Sequence, residues 1–253
     1  MTRKLLSTPL KWAAALTLAM AGASANAALV TGDIAFTSFN ADEDGWSIVA
    51  LANIDANSTI YFRDDEWTGS AWDSSSEGTL TWSTGSSVIT AGTVIRFAAT
   101  DTSSRTASVG TLTGSGDTGT NATAETIYAY LGSSSAAPTT FLTGVTSEAT
   151  TTNLTNAGLT VGVNAVALTS STDYAGYTGV RSGLSAFSLY ASVINNSSNW
   201  YINVGGDGSS YIPDTTAFAV QAVPLPAAVW LLISGLAGMF GFGRRREAAL
   251  ASA

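Results

Sequence analysis

Two runs of acidic residues carry the densest chemistry in this sequence. They are Asp42-Glu43-Asp44 and Asp64-Asp65-Glu66. Carboxylate oxygens in loops are the ligands that Ca²⁺ prefers, and the ion takes about six to eight of them. Neither run has the D-x-D-x-D-G spacing with a terminal glutamate that marks a calcium-binding loop. We expect turn acids that keep the surface soluble, and the alternative is a calcium site that involves Asp42, Asp44, Asp64 or Asp65.

Carboxylate chemistry is also the main chemistry left open between residues 28 and 222. This segment has no histidine, lysine or cysteine. A Ser–His–Asp unit, an imidazole metal site and a Schiff-base lysine are therefore excluded. A pair of acids could still hydrolyse a glycosidic bond, but nothing in the sequence fixes one acid as protonated and the other as ionised. We expect that the protein is not an enzyme and needs no cofactor.

The charge of this segment is strongly negative. It holds 17 acidic residues against four basic ones, which gives a net charge of −13. Four scattered arginines cannot form the basic stripe that nucleic-acid binding requires. We therefore expect no nucleic-acid partner, and the four arginines are Arg63, Arg96, Arg105 and Arg181.

Two tryptophans could take part in ligand binding. Trp67 and Trp72 lie in a loop among acids and glycines, and we expect them to be exposed and able to stack on sugar rings. Most other large aromatics are expected to fill a core, because Trp and Tyr bury large apolar areas. Those residues are Trp46, Trp82, Trp200, Tyr61, Tyr128 and Tyr130.

Short runs rich in Val, Ile, Thr and aromatics are separated by Gly, Asn, Asp and Ser, a pattern that predicts strands. Ile60 and Phe62 alternate with polar residues, as do Leu80 and Trp82. Such half-buried strands favour an all-β fold, a single antiparallel β-sandwich over residues 28–222. The Ser/Thr/Gly-rich segments 101–123 and 132–160 are expected to be long loops or weak hairpins. The predicted strands lie near 33–39, 45–51, 58–63, 78–83, 93–98, 126–131, 163–168, 185–191, 200–204 and 216–220.

The N-terminal segment has the three parts of a secretory signal peptide. A positive region contains Arg3, Lys4 and Lys11, and an apolar region follows from Trp12 to Ala23. Small residues at Ala25 and Ala27 then mark a cleavage site for signal peptidase. We expect residues 1–27 to form a signal helix that is removed, and the mature chain to begin at Ala28.

The C-terminal segment predicts a membrane anchor, residues 227–242. Its sixteen apolar or small residues would give about 24 Å of helix, slightly less than a hydrocarbon core of about 30 Å. The prolines that precede it cannot continue a helix. The arginines that follow hold that end in the cytoplasm, with residues 247–253 as a cytoplasmic tail. The flanking residues are Pro224, Leu225, Pro226, Arg244, Arg245 and Arg246.

Residues 223–246 closely resemble the PEP-CTERM sorting signal of exported bacterial proteins, with Pro-Leu-Pro in place of Pro-Glu-Pro. The resemblance implies that an exosortase-type membrane enzyme recognises Pro224-Leu225-Pro226 and releases or transfers the protein from the inner membrane of a Gram-negative bacterium to the cell surface or extracellular matrix. It also implies an association with exopolysaccharide and biofilm. A carbohydrate-binding adhesin and a carboxylate-based polysaccharide hydrolase remain as alternatives.

A second resemblance covers residues 32–98. The segments Gly32–Phe36, Asp44–Val49, Thr59–Asp64 and Glu77–Trp82 are similar to a module of secreted bacterial proteins. This module resembles immunoglobulin-like and lamin-tail-like sandwiches. It carries no known catalytic role, so the resemblance points to scaffolding or adhesion.

Overall fold

The computed structural model describes residues 28–73 and 77–222, together with 231–232 and 234–235. The predicted signal peptide, the Pro-Leu-Pro motif, the arginine run and the tail lie outside these residues, as does most of the predicted anchor. The four described residues of that anchor have helical backbone. Within the described part of the chain, no helix is both long and apolar enough to cross a bilayer.

The first of two large sheets has six strands in the spatial order β13-β11-β1-β2-β5-β6, and all of its pairings are antiparallel. Strands β1 and β2 form its centre and are buried along their whole length. In chain order the six strands are β1 (Ile34–Asn40), β2 (Gly45–Ala50), β5 (Val94–Ala98), β6 (Thr106–Ala107), β11 (Thr172–Tyr177) and β13 (Trp200–Val204).

The second sheet also has six strands, in the order β10-β9-β8-β3-β4-β7. Its pairings are antiparallel except that β10 runs parallel to β9. A short helix, α1 (Thr152–Asn156), lies in the connection between those two strands. The six strands are β3 (Thr59–Arg63), β4 (Thr79–Ser83), β7 (Thr111–Ser115), β8 (Thr126–Ser134), β9 (Ala137–Thr146) and β10 (Ala165–Ala167).

Aromatic rings join the two sheets face to face. Phe62 of the second sheet lies 4.9 Å from Phe97 and 5.4 Å from Trp46 of the first sheet, between ring centroids. Trp82 meets Phe97 edge-on at 5.2 Å. Burying one such side chain contributes about 1.5–3 kcal/mol, so this contact stabilises the sandwich-like packing. The inward alternation predicted for Ile60, Phe62, Leu80 and Trp82 is confirmed, since all four are buried.

One predicted strand is wrong. Residues 185–191 contain a 3₁₀ turn, Phe187–Leu189, and the start of helix α2 (Tyr190–Ile194). The apolar side chains at 187, 190, 191 and 194 recur with helical spacing, which places them on one face of a helix. Tyr190 and Ile194 are accordingly buried. The strand predicted at 216–220 is reduced to β14 (Ala219–Val220), which pairs in parallel with β12 (Ser182–Leu184).

The two segments expected to be long loops or weak hairpins contain strands, so the hairpin alternative is closer to the structure than the loop. Segment 101–123 includes β6 and β7, and segment 132–160 includes β9, the longest strand described. Strand β9 pairs with β8 in a hairpin that turns at 135–136. Threonine is a good strand former because its branched side chain fits a pleated surface. The high Ser/Thr content therefore concealed strands, of which only the second half of β9 is buried along both faces.

Candidate functional site

The acidic side chains gather at one end of the sandwich. The turn between β1 and β2 ends at Asp44, and the loop after β3 begins at Asp64. Burial raises the pKa of both carboxyls, and the negative charge of Asp117, in the loop after β7, adds to this shift. The two acidic runs singled out in the sequence thus meet around a third acid, and we refer to this region as the acidic end.

Two acids at this end are held largely out of water. Burial, together with the charge of Glu77, raises the pKa of Asp64 to about 7. Burial and the charge of Asp64 raise the pKa of Glu125 to about 9. Glu125 is only 8% exposed, and its Oε2 accepts no hydrogen bond from any residue that the structure describes. At neutral pH Glu125 is therefore a protonated, uncharged side chain.

A cavity of about 10 Å³ lies beside Asp64. Its wall also includes Trp46, Phe62, Thr118 and Thr120. This volume is room for about one water molecule. The space is too small for a sugar ring.

The other three acids that were predicted as calcium ligands have protein partners. Asp42 accepts a hydrogen bond from the backbone N–H of Gly208. Asp44 accepts one of 2.5 Å from the backbone N–H of Thr120. Asp65 is fully buried and forms an ion pair of 2.7 Å with Arg63. These bonds fix the loops of the acidic end.

A metal centre would need several donors around one point. In residues 28–73 and 77–222, no group of three or more His, Cys, Asp or Glu side chains is arranged to hold a metal ion. The structure therefore brings Asp44 and Asp64 toward a common neighbour, Asp117, without assembling a set of ligands. Calcium binding by these acids stays a prediction.

Trp67 and Trp72 lie against the outer face of the second sheet. Their rings meet edge-on at 5.0 Å, and both are half-buried. Trp72 packs on Tyr130 at 5.4 Å, while the guanidinium of Arg63 lies 4.8 Å from its ring centroid. Phe141 lies 5.3 Å from Trp67. The loop after β3 thus folds back to form a second apolar cluster, and less of the two indole rings is available to a ligand than the sequence suggested.

Two groups of residues in these regions had no signal in the sequence. Glu125 and Asp117 are single acids in Ser/Thr/Gly-rich surroundings, and only the fold places them beside Asp64. The second group is a set of tyrosine rings on the outer face of the first sheet, formed by Tyr174, Tyr201 and Tyr211. The alternation of side chains along β11 and β13 could have placed Tyr174 and Tyr201 on one face of the sheet. Tyr211 could not have been found in this way, because it comes after β13, the last strand of that sheet along the chain.

Compared with protein-family models, with curated proteins and with solved structures, the chain has no match.

Proposed function

We propose that this chain is an exported, non-enzymatic protein of the bacterial cell surface or extracellular matrix, sorted by an exosortase-type membrane enzyme and associated with exopolysaccharide. The signal peptide directs secretion and is removed by signal peptidase. The C-terminal helix then holds the chain in the inner membrane until the enzyme acts at Pro224-Leu225-Pro226. The folded part is an immunoglobulin-like or lamin-tail-like sandwich.

The observation that carries this proposal is the position of the folded body between the two signals. Strand β1 begins at Ile34, six positions after the predicted mature N-terminus at Ala28. Strand β14 ends at Val220, three positions before Val223. Among the described residues, the core of the β-structure is formed inside these limits. We assign the apolar segments beyond them to targeting and membrane anchoring.

Three ion pairs support a structural role for several of the carboxylates. Asp65 compensates Arg63, Glu43 pairs with Arg96, and Asp214 pairs with Arg181 at 3.0 Å. Each of these three arginines thus forms its ion pair within the domain. The remaining acids leave a strongly negative surface, which favours solubility outside the cell and repels anionic polymers.

The sorting step is tested by replacing Pro224 and Pro226 together with alanine and fractionating the producing bacterium. The variant should remain unprocessed in the inner membrane, because a helix could then extend through the motif that the enzyme recognises. Pro138→Ala, in strand β9 and remote from the motif, is the matched control and should be sorted normally. Surface delivery of the double variant at wild-type size and amount would contradict the proposal.

A further inference from the structure

Three tyrosines form a patch on the outer face of the first sheet. The ring of Tyr174 lies 6.0 Å from that of Tyr201 and 4.7 Å from that of Tyr211, between centroids. The interplanar angles are 41° and 33°, so neighbouring rings are tilted rather than perpendicular. We call these three residues the tyrosine platform.

The backbone shapes this platform. Gly176 lies opposite Tyr201 in the β11–β13 pairing, and a Cβ atom there would come within 1.9 Å of the Tyr211 hydroxyl oxygen. The missing side chain is therefore what lets Tyr211 lie over the sheet. Gly208 likewise lies close to the ring of Tyr174, since a Cβ atom added to Gly208 would be 2.6 Å from Cδ1 of Tyr174. The segment after β13 is thus fixed to the sheet, and the platform is a built surface.

The platform faces solvent at the edge of the sheet. Tyr201 lies on the edge strand β13 and is 50% exposed. Tyr174 and Tyr211 are half-buried beside it. A tyrosine ring offers a large, rigid contact area with a polar tip, and such residues are enriched at binding surfaces.

Hydrogen-bonding groups surround the rings. Asp207 is exposed, and the Ser209 side chain, together with the hydrogen bond from the Ser209 backbone N–H, lowers its pKa. It is therefore an ionised acceptor. Asp42 lies beside Gly208, whose N–H donates a hydrogen bond to its carboxylate. The amide of Asn203 shares the face of Tyr174 and donates to the carbonyl of Gly205 at 3.0 Å. Ionised carboxylates accept hydrogen bonds only, so this rim matches a ligand rich in hydroxyl donors.

We propose that the tyrosine platform binds a neutral polysaccharide, with sugar rings stacked on Tyr174, Tyr201 and Tyr211 and sugar hydroxyls donating to Asp207 and Asp42. The negative charge around the platform favours a neutral ligand. An anionic polymer would meet these two carboxylates in a segment of net charge −13. A polycation would be attracted to the acids wherever they lie and would not need the rings. This inference rests on the proposed function, because the platform meets a polysaccharide only after export into a polysaccharide-containing matrix.

The test is native affinity electrophoresis of the full-length chain in a non-ionic detergent. Gels contain hydroxyethyl cellulose or dextran as neutral probes, alginate as an anionic probe, or glycol chitosan as a cationic probe. At least one neutral polymer should retard the protein, and Tyr201→Ala should weaken that retardation about tenfold, as expected when an aromatic contact with the ligand is removed. Alginate should not retard it.

Val204→Ala is the matched control, because Val204 is a similarly exposed residue of the same edge strand. It should retain wild-type mobility shifts. The far-UV circular dichroism spectrum and the melting temperature should be unchanged in both variants, which separates loss of a contact from loss of the fold. If Tyr201→Ala perturbs the spectrum, Asp207→Asn replaces it and should weaken the retardation without that change.

Three results would overturn the proposal: no retardation by either neutral polymer, equal retardation of Tyr201→Ala, or retardation by glycol chitosan alone. The gel measures binding without any sorting step. It can therefore fail while the Pro224 and Pro226 variants behave as proposed, and the reverse also holds.

Discussion

The carboxyl group of Glu125 lies within electrostatic reach of that of Asp64, and both are withdrawn from water at the acidic end of the sandwich. The pKa of Glu125 is raised to about 9 and that of Asp64 to about 7. These residues are far apart in the chain and lie at the ends of adjacent strands, Glu125 just before β8 and Asp64 just after β3. The fold thus keeps a protonated acid beside a group that titrates near neutrality.

This arrangement predicts that the domain loses stability as the pH rises. An acid whose pKa is higher in the folded than in the unfolded state keeps its proton longer when folded. Its contribution is therefore complete below the unfolded value, near 4.5 for Glu125, and is lost progressively up to about 9. Glu125→Gln removes this dependence, so at pH 9 its melting temperature should exceed that of the wild type by about 5 °C. At pH 4.5 the two proteins should melt together.

The measurement is thermal melting followed by near-UV circular dichroism in detergent, at the two pH values. Asp55→Asn serves as the control, since Asp55 lies between β2 and β3 at the opposite end of the sandwich. Asp55→Asn removes one negative charge but leaves the carboxyls of the acidic end unchanged. Its effect on the melting temperature should therefore be small at both pH values. An equal gain for Glu125→Gln at pH 4.5 and pH 9 would show that titration of this acid does not affect stability.

The hydrogen bonds and the ion pair of the acidic loops also predict how calcium changes the melting temperature. Asp42, Asp44 and Asp65 are bonded to Gly208, Thr120 and Arg63 within the protein. A cation would have to displace or share these contacts. We therefore expect millimolar CaCl₂ to raise the melting temperature no more than NaCl of matched ionic strength, which acts through screening.

A specific site would give a different result. An ion that binds only the folded state stabilises it by about 2.7 kcal/mol at a hundredfold excess over its Kd. A larger shift in CaCl₂ than in NaCl, abolished by Asp64→Asn, would therefore contradict this expectation and establish calcium binding at the acidic end.

The strands that the sequence predicts well are those with two-residue alternation around large apolar side chains. Ile60, Phe62, Leu80 and Trp82 carry this pattern, and their burial follows from it. Strand β9 was hidden because threonines occupy many of its positions, and threonine is common in loops as well as in strands. Helix α2 was mistaken for a strand because a short apolar run does not by itself distinguish a period of 3.6 from a period of 2.

The sites were harder to predict than the fold because they depend on contacts between distant segments. The acidic runs were visible in the sequence, but the burial of Glu125 and the position of Asp117 come from loops that meet only in the folded protein. The same holds for Tyr211, which reaches the sheet only because position 176 is glycine. Trp67 and Trp72 were correctly placed in a loop, yet that loop folds onto an aromatic face that the sequence did not indicate.

The proposed export and sorting are tested most directly by the intact mass of the protein recovered from the cell exterior. We predict a form that begins at Ala28 and lacks Arg244, Arg245 and Arg246, because signal peptidase and an exosortase-type enzyme remove the two terminal signals. Replacing the three arginines with lysine should preserve this result, since the positive charge is kept. A surface form that retains residues 1–27 or extends to Ala253, or a protein confined to the cytoplasm, would contradict the account.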